Sequence, residues 1–128
     1  MKLKMNREQK TRRKNELLQL IQPDCRHGNK DGFVNVVKRN SVEHEMGKTA
    51  VTHWLLNNGF SVFSEAVFVN KGGKGDIVAV SDNGVGYIVE ILCSESDERY
   101  ALKEDKYPEE FTMVKVRMKD FDYKTFCL

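Results

Sequence analysis

Residues 75–92 read GDIVAVSDNGVGYIVEIL: two apolar runs joined by a turn, with an acid, Asp76 or Glu90, at the rim of each. Both runs are apolar on both parities, as expected of central strands covered on both faces. An ionised carboxylate buried there without a partner is expensive, so the two acids call for a cation. The turn sets their geometry. A two-residue Asn83–Gly84 loop would pair Asp76 with Ile91 and put Glu90 on the opposite face. A three-residue Asp82–Asn83–Gly84 loop, with Gly84 left-handed, would pair Ser81 with Val85 and therefore Asp76 with Glu90. We expect the three-residue loop. It sets the carboxylates side by side, an arrangement two like charges tolerate around a cation.

Working outward, the clearest neighbouring signal is SVEHEMGKTAVTHWLLNNGF, residues 41–60. Val42, Met46, Ala50, Val51, Trp54 and Leu55 recur at helical spacing, Ser41 is a natural N-cap, and Asn57–Asn58–Gly59 is a stop. FSVFSEAVFV follows as a strand, with Phe60, Val62, Ser64, Ala66 and Phe68 on one parity. KGGKG is a glycine loop just before Asp76. SESDERYALKEDKYP reads as a short helix, with Ser94 and Asp97 at capping-box spacing and Pro108 closing it. FTMVKVRM is a last strand. The order helix, three strands, helix, strand predicts an α+β or mixed α/β domain over residues 41–128. Before it lies a basic arm and linker, residues 1–40, with a helix stopped by Pro23. FVNVVKRN, residues 33–40, suits either a strand or an extension of the next element.

The chain has 128 residues, 40% hydrophobic and 31% charged, which suits one domain with one core. No apolar run reaches the roughly 20 residues of a membrane span, and no signal-peptide pattern opens the sequence. The three cysteines, Cys25, Cys93 and Cys127, lie far apart and suggest neither a zinc site nor a disulfide framework. A cytoplasmic setting without membrane contact is the expectation. Residues 1–41 hold eleven Lys and Arg against four Asp and Glu, and residues 42–128 hold ten against fifteen. A basic arm thus precedes an acidic body, and such an arm could hold phosphates.

Two carboxylates on adjacent strands are how a hard divalent ion such as Mg²⁺ is held, with water completing its shell. At this point the ordered set EHEMGK, NNGFSVFSEAVF, KGDIVAV and YIVEIL resembles the PD-(D/E)XK superfamily of metal-dependent nucleases, and within it small archaeal and viral members. The resemblance spans about residues 41–118 and implies an αβββαβ, restriction-endonuclease-like core, a mixed sheet flanked by helices. It further implies DNA as substrate, Mg²⁺ or Mn²⁺ as cofactor, and Asp76 and Glu90 as the metal-binding acids. The motif lysine, two residues after Glu90, is here Leu92. Some superfamily members carry that lysine on the following helix, where Lys103 stands, with Tyr107 one turn on. The first core helix often adds an acid. Glu43 shares the face of Gly47, Ala50 and Trp54 and is expected to turn toward the sheet, with Glu45 toward solvent. Glu65 is a further candidate acid. Lys71 and Lys74 of the glycine loop, together with His44 and Lys48, would contact phosphate. A homodimer would bring two sites to one duplex. The competing expectation is a nuclease-fold module that binds nucleic acid or a protein without turnover, its lysine lost at Leu92.

Overall fold

The computed structural model describes residues 4–26, 31–70, 72–93, 106–122 and 124–128. Its frame is a four-stranded sheet in the order β1–β2–β3–β4, formed by Phe60–Val67, Lys74–Ser81, Gly86–Leu92 and Thr112–Arg117. The first three strands form an antiparallel meander, and β4 pairs parallel to β3. Parallel neighbours require a crossover, and the 19 residues between β3 and β4, 93–111, are enough for one. The helix expected over residues 94–108 falls mostly outside the described residues. Among those described, no helix is long and apolar enough to cross a membrane.

Among the described residues, one helix covers each face of the sheet. Helix α1, Arg7–Gln19, opens with a capping box in which Asn6 and Gln9 satisfy each other's backbone N–H groups. It buries Leu17 on the first face, with Ile21, Phe68, Val78, Val80, Ile88, Tyr107 and Phe111. Helix α2, Val42–Asn57, is capped by the Ser41 hydroxyl, which accepts from the His44 N–H. It packs Val51 and Leu55 on the second face, against Val62, Ile77, Ala79, Val89 and Ile91. The apolar double parity of β2 and β3 is thereby explained, since each strand feeds both cores. Residues 33–37 are neither strand nor helix. They run beside β1, tied to the Ser64 hydroxyl, which accepts from the Asn35 N–H and donates to the Phe33 carbonyl.

The β2–β3 turn has the three-residue form. Gly84 is left-handed at φ +81, its N–H reaches the Ser81 carbonyl at 3.1 Å, and the Ser81 N–H reaches the Val85 carbonyl at 2.9 Å. The pairing runs from Val80↔Gly86 to Ile77↔Val89, and one further step sets Asp76 opposite Glu90.

Two expectations about orientation are corrected. Val42 and Met46 were placed on the apolar face of α2, yet they are 75% and 66% exposed. The inward stripe is instead His44, Gly47, Lys48, Val51 and Leu55, with Glu45 beside it. Gly47 explains this, because a Cβ there would lie 2.6 Å from Met118 Sδ and 3.0 Å from Ile91 Cγ2. The helix closes on the sheet at Gly47, which marks one edge of the inward arc, and the arc runs from it through Val51, His44, Leu55 and Lys48 to Glu45. The even parity of β1 also breaks. Val62 serves the second core, but Ala66 and Phe68 serve the first. Between them stands Glu65 at φ +53, the only non-glycine residue with positive φ among those described. The register is the same on either side, Ser64↔Ile77 and Ala66↔Gly75, so no residue is inserted; the strand simply rolls over.

Candidate functional site

The roll at Glu65 occurs on the rung where Asp76 would pair, and Asp76 stands opposite Glu90 in the register with β3. On the next strand Glu90 pairs with Lys115. One row across the sheet therefore reads Glu65, Asp76, Glu90, Lys115. Asp76 and Glu90, predicted to lie side by side, do so, with their carboxyl groups within hydrogen-bonding reach of each other. Two carboxylates that close hold a proton or a cation between them.

The first turns of α2 meet this row. His44 lies with Nδ1 3.1 Å from Glu45 Oε1 and Nε2 3.3 Å from Asp76 Oδ2. A ring with a carboxylate at each nitrogen donates from both only as imidazolium. The Asp76 hydrogen bond is the main cause that raises the His44 pKa above its ordinary value, outweighing burial. For Asp76 burial favours the neutral acid, but His44, the Glu90 contact and the Ile91 N–H at 2.9 Å together hold its pKa below the usual range.

Lys48 is wholly buried. Its ammonium reaches the Asn35 carbonyl at 2.7 Å, Glu65 Oε1 at 2.9 Å and Glu45 Oε2 at 2.9 Å, which uses its three donors. Burial alone would lower its pKa, yet the two carboxylates raise it above the ordinary lysine value. Glu45 accepts also from the Asn40 amide at 2.8 Å and the Val37 N–H at 3.2 Å. Burial opposes its ionisation, but Lys48, Asn40, His44 and Val37 prevail and bring its pKa down to about 2. Glu65 takes Lys74 Nζ on its other oxygen at 3.0 Å. Beyond Glu65 opens a cavity of about 170 Å³ lined by Asp24, Cys25, Phe33, Asn35 and Ser64. The Tyr107 hydroxyl sits against Glu90 Oε1 and 3.0 Å from the Lys74 carbonyl.

The sequence-predicted residues therefore divide. Asp76, Glu90, Glu65, His44, Lys48, Lys74 and Tyr107 are drawn into one network. Glu43 is exposed and Glu45 buried, the reverse of expectation, because residues 35–40 cover the Glu45 side of α2 and Val37, Asn40 and Lys48 hold its carboxylate. His44 and Lys48 are turned inward to carboxylates rather than outward to solvent. Lys71 and Lys103 lie outside the described residues. Leu92, at the motif-lysine position, is buried at 3% exposure and pairs with Arg117. Sequence reasoning missed Glu45 and Lys115. Glu45 and Lys48 stand at i, i+3, the spacing of a helical ion pair, and that was the signal that could have found Glu45.

Among the described residues no group of three or more His, Cys, Asp and Glu is arranged to hold a metal ion. The donor pair Asp76 and Glu90 nonetheless suits Mg²⁺, which takes one or two carboxylates and keeps several waters. Lys48 is committed to Glu45 and Glu65, Lys74 pairs with Glu65 while about half exposed, and His44 is the α2 side chain that reaches the pair. In comparisons with protein-family models, with curated proteins and with solved structures, the chain matches none.

Proposed function

We propose that the chain is a divalent-metal-dependent nuclease acting on DNA, with an αβββαβ core of the PD-(D/E)XK kind. The observation that carries this reading is the pairing of Asp76 with Glu90 at the ends of neighbouring central strands. The topology agrees with it: a helix precedes an antiparallel meander, and a fourth strand runs parallel to the third. Asp76 and Glu90 would hold Mg²⁺ or Mn²⁺. When bound, such an ion lowers the pKa of a coordinated water and offsets charge developing on phosphate.

The chain's own residues do the rest. Ile91 N–H and His44 fix one oxygen of Asp76, and the Tyr107 hydroxyl fixes Glu90, so both carboxylates are oriented before any ligand arrives. Lys48 clamps Glu45 and Glu65 together beneath them. Lys74, about half exposed, is the cation placed to meet a phosphate. Lys103 takes the part of the missing motif lysine. A second reading, a binding module without turnover, is favoured by one observation: buried Leu92 stands where the motif has lysine.

The test is cleavage of supercoiled plasmid, single-stranded DNA and a four-way junction with Mg²⁺ or Mn²⁺. The expected result is cleavage by the wild type, lost in Asp76→Asn and Glu90→Gln and strongly reduced in Lys103→Ala. DNA binding without cleavage of any substrate would favour the module instead.

A further inference from the structure

The face by which α1 docks changes character along its length. Leu17 is buried, and Ile21 continues its stripe into the first core. Going back toward the N-terminus, the same stripe becomes Lys14, Arg13, Lys10 and Arg7. At 100° per residue these four fall within about a third of the helix circumference, and Glu8 and Glu16 lie outside that arc. The change happens where the helix passes the β2–β3 turn: a Cβ on Gly84 would lie 2.6 Å from Arg13 Cβ and 3.3 Å from the Lys10 carbonyl. Lys14 pairs with Asp82 of the turn, and Arg13 approaches Glu16 at 3.7 Å. Arg7 and Lys10 form no ion pair among the described residues. Arg12 adds charge on the outer side.

We infer that this basic half of α1 is a grip for the phosphate backbone of duplex nucleic acid. The helix offers no free apolar face for a bilayer, because Leu17, Leu18 and Leu20 are spent on the first core. It offers no stacking platform for bases either, since no aromatic residue lies on it. What remains is an arc of cations with amide side chains around it, which is the chemistry of sequence-independent backbone contact. The grip is remote from the acids. Asp82 lies six positions along the chain from Asp76, about 20 Å of extended strand. That is roughly six base pairs of duplex at about 3.4 Å each. The inference rests on the nuclease reading for what the held duplex is for, but not for the binding itself.

The experiment is fluorescence anisotropy in EDTA with a labelled duplex, the matching single strand, and phosphatidylserine–phosphatidylcholine vesicles, across a salt series. The proteins are the wild type, Arg7→Gln/Lys10→Gln, and Asp76→Asn. Glutamine keeps helix propensity, and circular dichroism checks the fold. The expected result is duplex binding weakened at least about tenfold in the double variant, with the salt slope reduced by about 1.8 for two lost phosphate contacts. Asp76→Asn removes a negative charge at the candidate site and should not weaken duplex binding. An unchanged slope in the double variant would overturn the grip, as would equal affinity for the single strand or a preference for vesicles. Duplex binding that depends on Arg7 and Lys10, without cleavage when metal is added, upholds the grip and removes the nuclease reading. Cleavage with unchanged affinity in the double variant does the opposite.

Discussion

In α2 the inward stripe runs from His44 and Lys48 to Val51 and Leu55; in α1 it runs from Lys10 and Lys14 to Leu17 and Ile21. Both helices are charged in their first half and apolar in their second. The environments differ. The charged half of α2 lies over the sheet, where Glu65 and Asp76 meet its cations, and Lys48 is wholly buried there. The charged half of α1 reaches past the Gly84 turn, where Asp82 meets Lys14. A buried charge survives by finding partners, and an overhanging one survives on water. In α2 the charges are structure around a candidate site; in α1 Arg7 and Lys10 form no ion pair among the described residues.

The sharpest way to break this contrast is to remove one lysine from each helix. Lys48→Met strands Glu45 and Glu65 without their shared cation and should cost about 3–5 kcal/mol, read from the urea midpoint. Lys10→Met should stay within about 0.5 kcal/mol. Adding Glu65→Gln to Lys48→Met should restore part of the loss.

Acid comes next. The pKa of Glu45 is depressed from 4.5 to about 2, so its contribution is present above about pH 4.5 and lost as pH falls through about 2. That depression corresponds to at most roughly 3–4 kcal/mol, less what solvent screens. Asp76, also depressed, adds a loss in the same direction. His44 is raised, so its contribution is complete below about 6.5 and fades as pH climbs through its folded value. Thermal melts across pH should show a maximum between these limits, and His44→Gln should flatten the alkaline side.

Gly47→Ala sharpens the packing argument. Alanine in a helix interior normally stabilises by about 1 kcal/mol over glycine. Here the new Cβ meets Met118 and Ile91, so a loss of about 1–3 kcal/mol is expected, and the sign of the change is the readout. The smallest effect concerns the caps. Asn6→Ala and Ser41→Ala should each cost about 1 kcal/mol, with the Asn6 loss showing as fraying of α1 in hydrogen exchange.

The β2–β3 register was legible because Asp82–Asn83–Gly84 admits few turn geometries and Gly84 supplies the left-handed residue. The bounds of α2 were legible for the same reason, through Ser41 and Asn58–Gly59. The direction of its first two turns was not. Hydrophobic spacing ranks Val42 and Met46 above His44 and Lys48 and has no means of seeing a lysine satisfied by two glutamates. Glu65 was equally hidden, since nothing in FSVFSEAVFV announces a left-handed glutamate, and the partition of β1 between two cores follows from it. The partner of Glu90 on β4 was out of reach because parallel pairing depends on the crossover rather than on a local turn. Lys103, expected as the displaced lysine, lies outside the described residues.

Whether Asp76 and Glu90 take a divalent cation is tested most directly by calorimetric titration of the protein with Mn²⁺, using the wild type, Asp76→Asn, Glu90→Gln and Arg7→Gln/Lys10→Gln. The expected result is one site per chain in the wild type, at least about tenfold weaker in each acid variant, where one of the carboxylate ligands is gone, and unchanged in the α1 variant. No Mn²⁺ binding in the wild type, or equal binding in all four proteins, would contradict it.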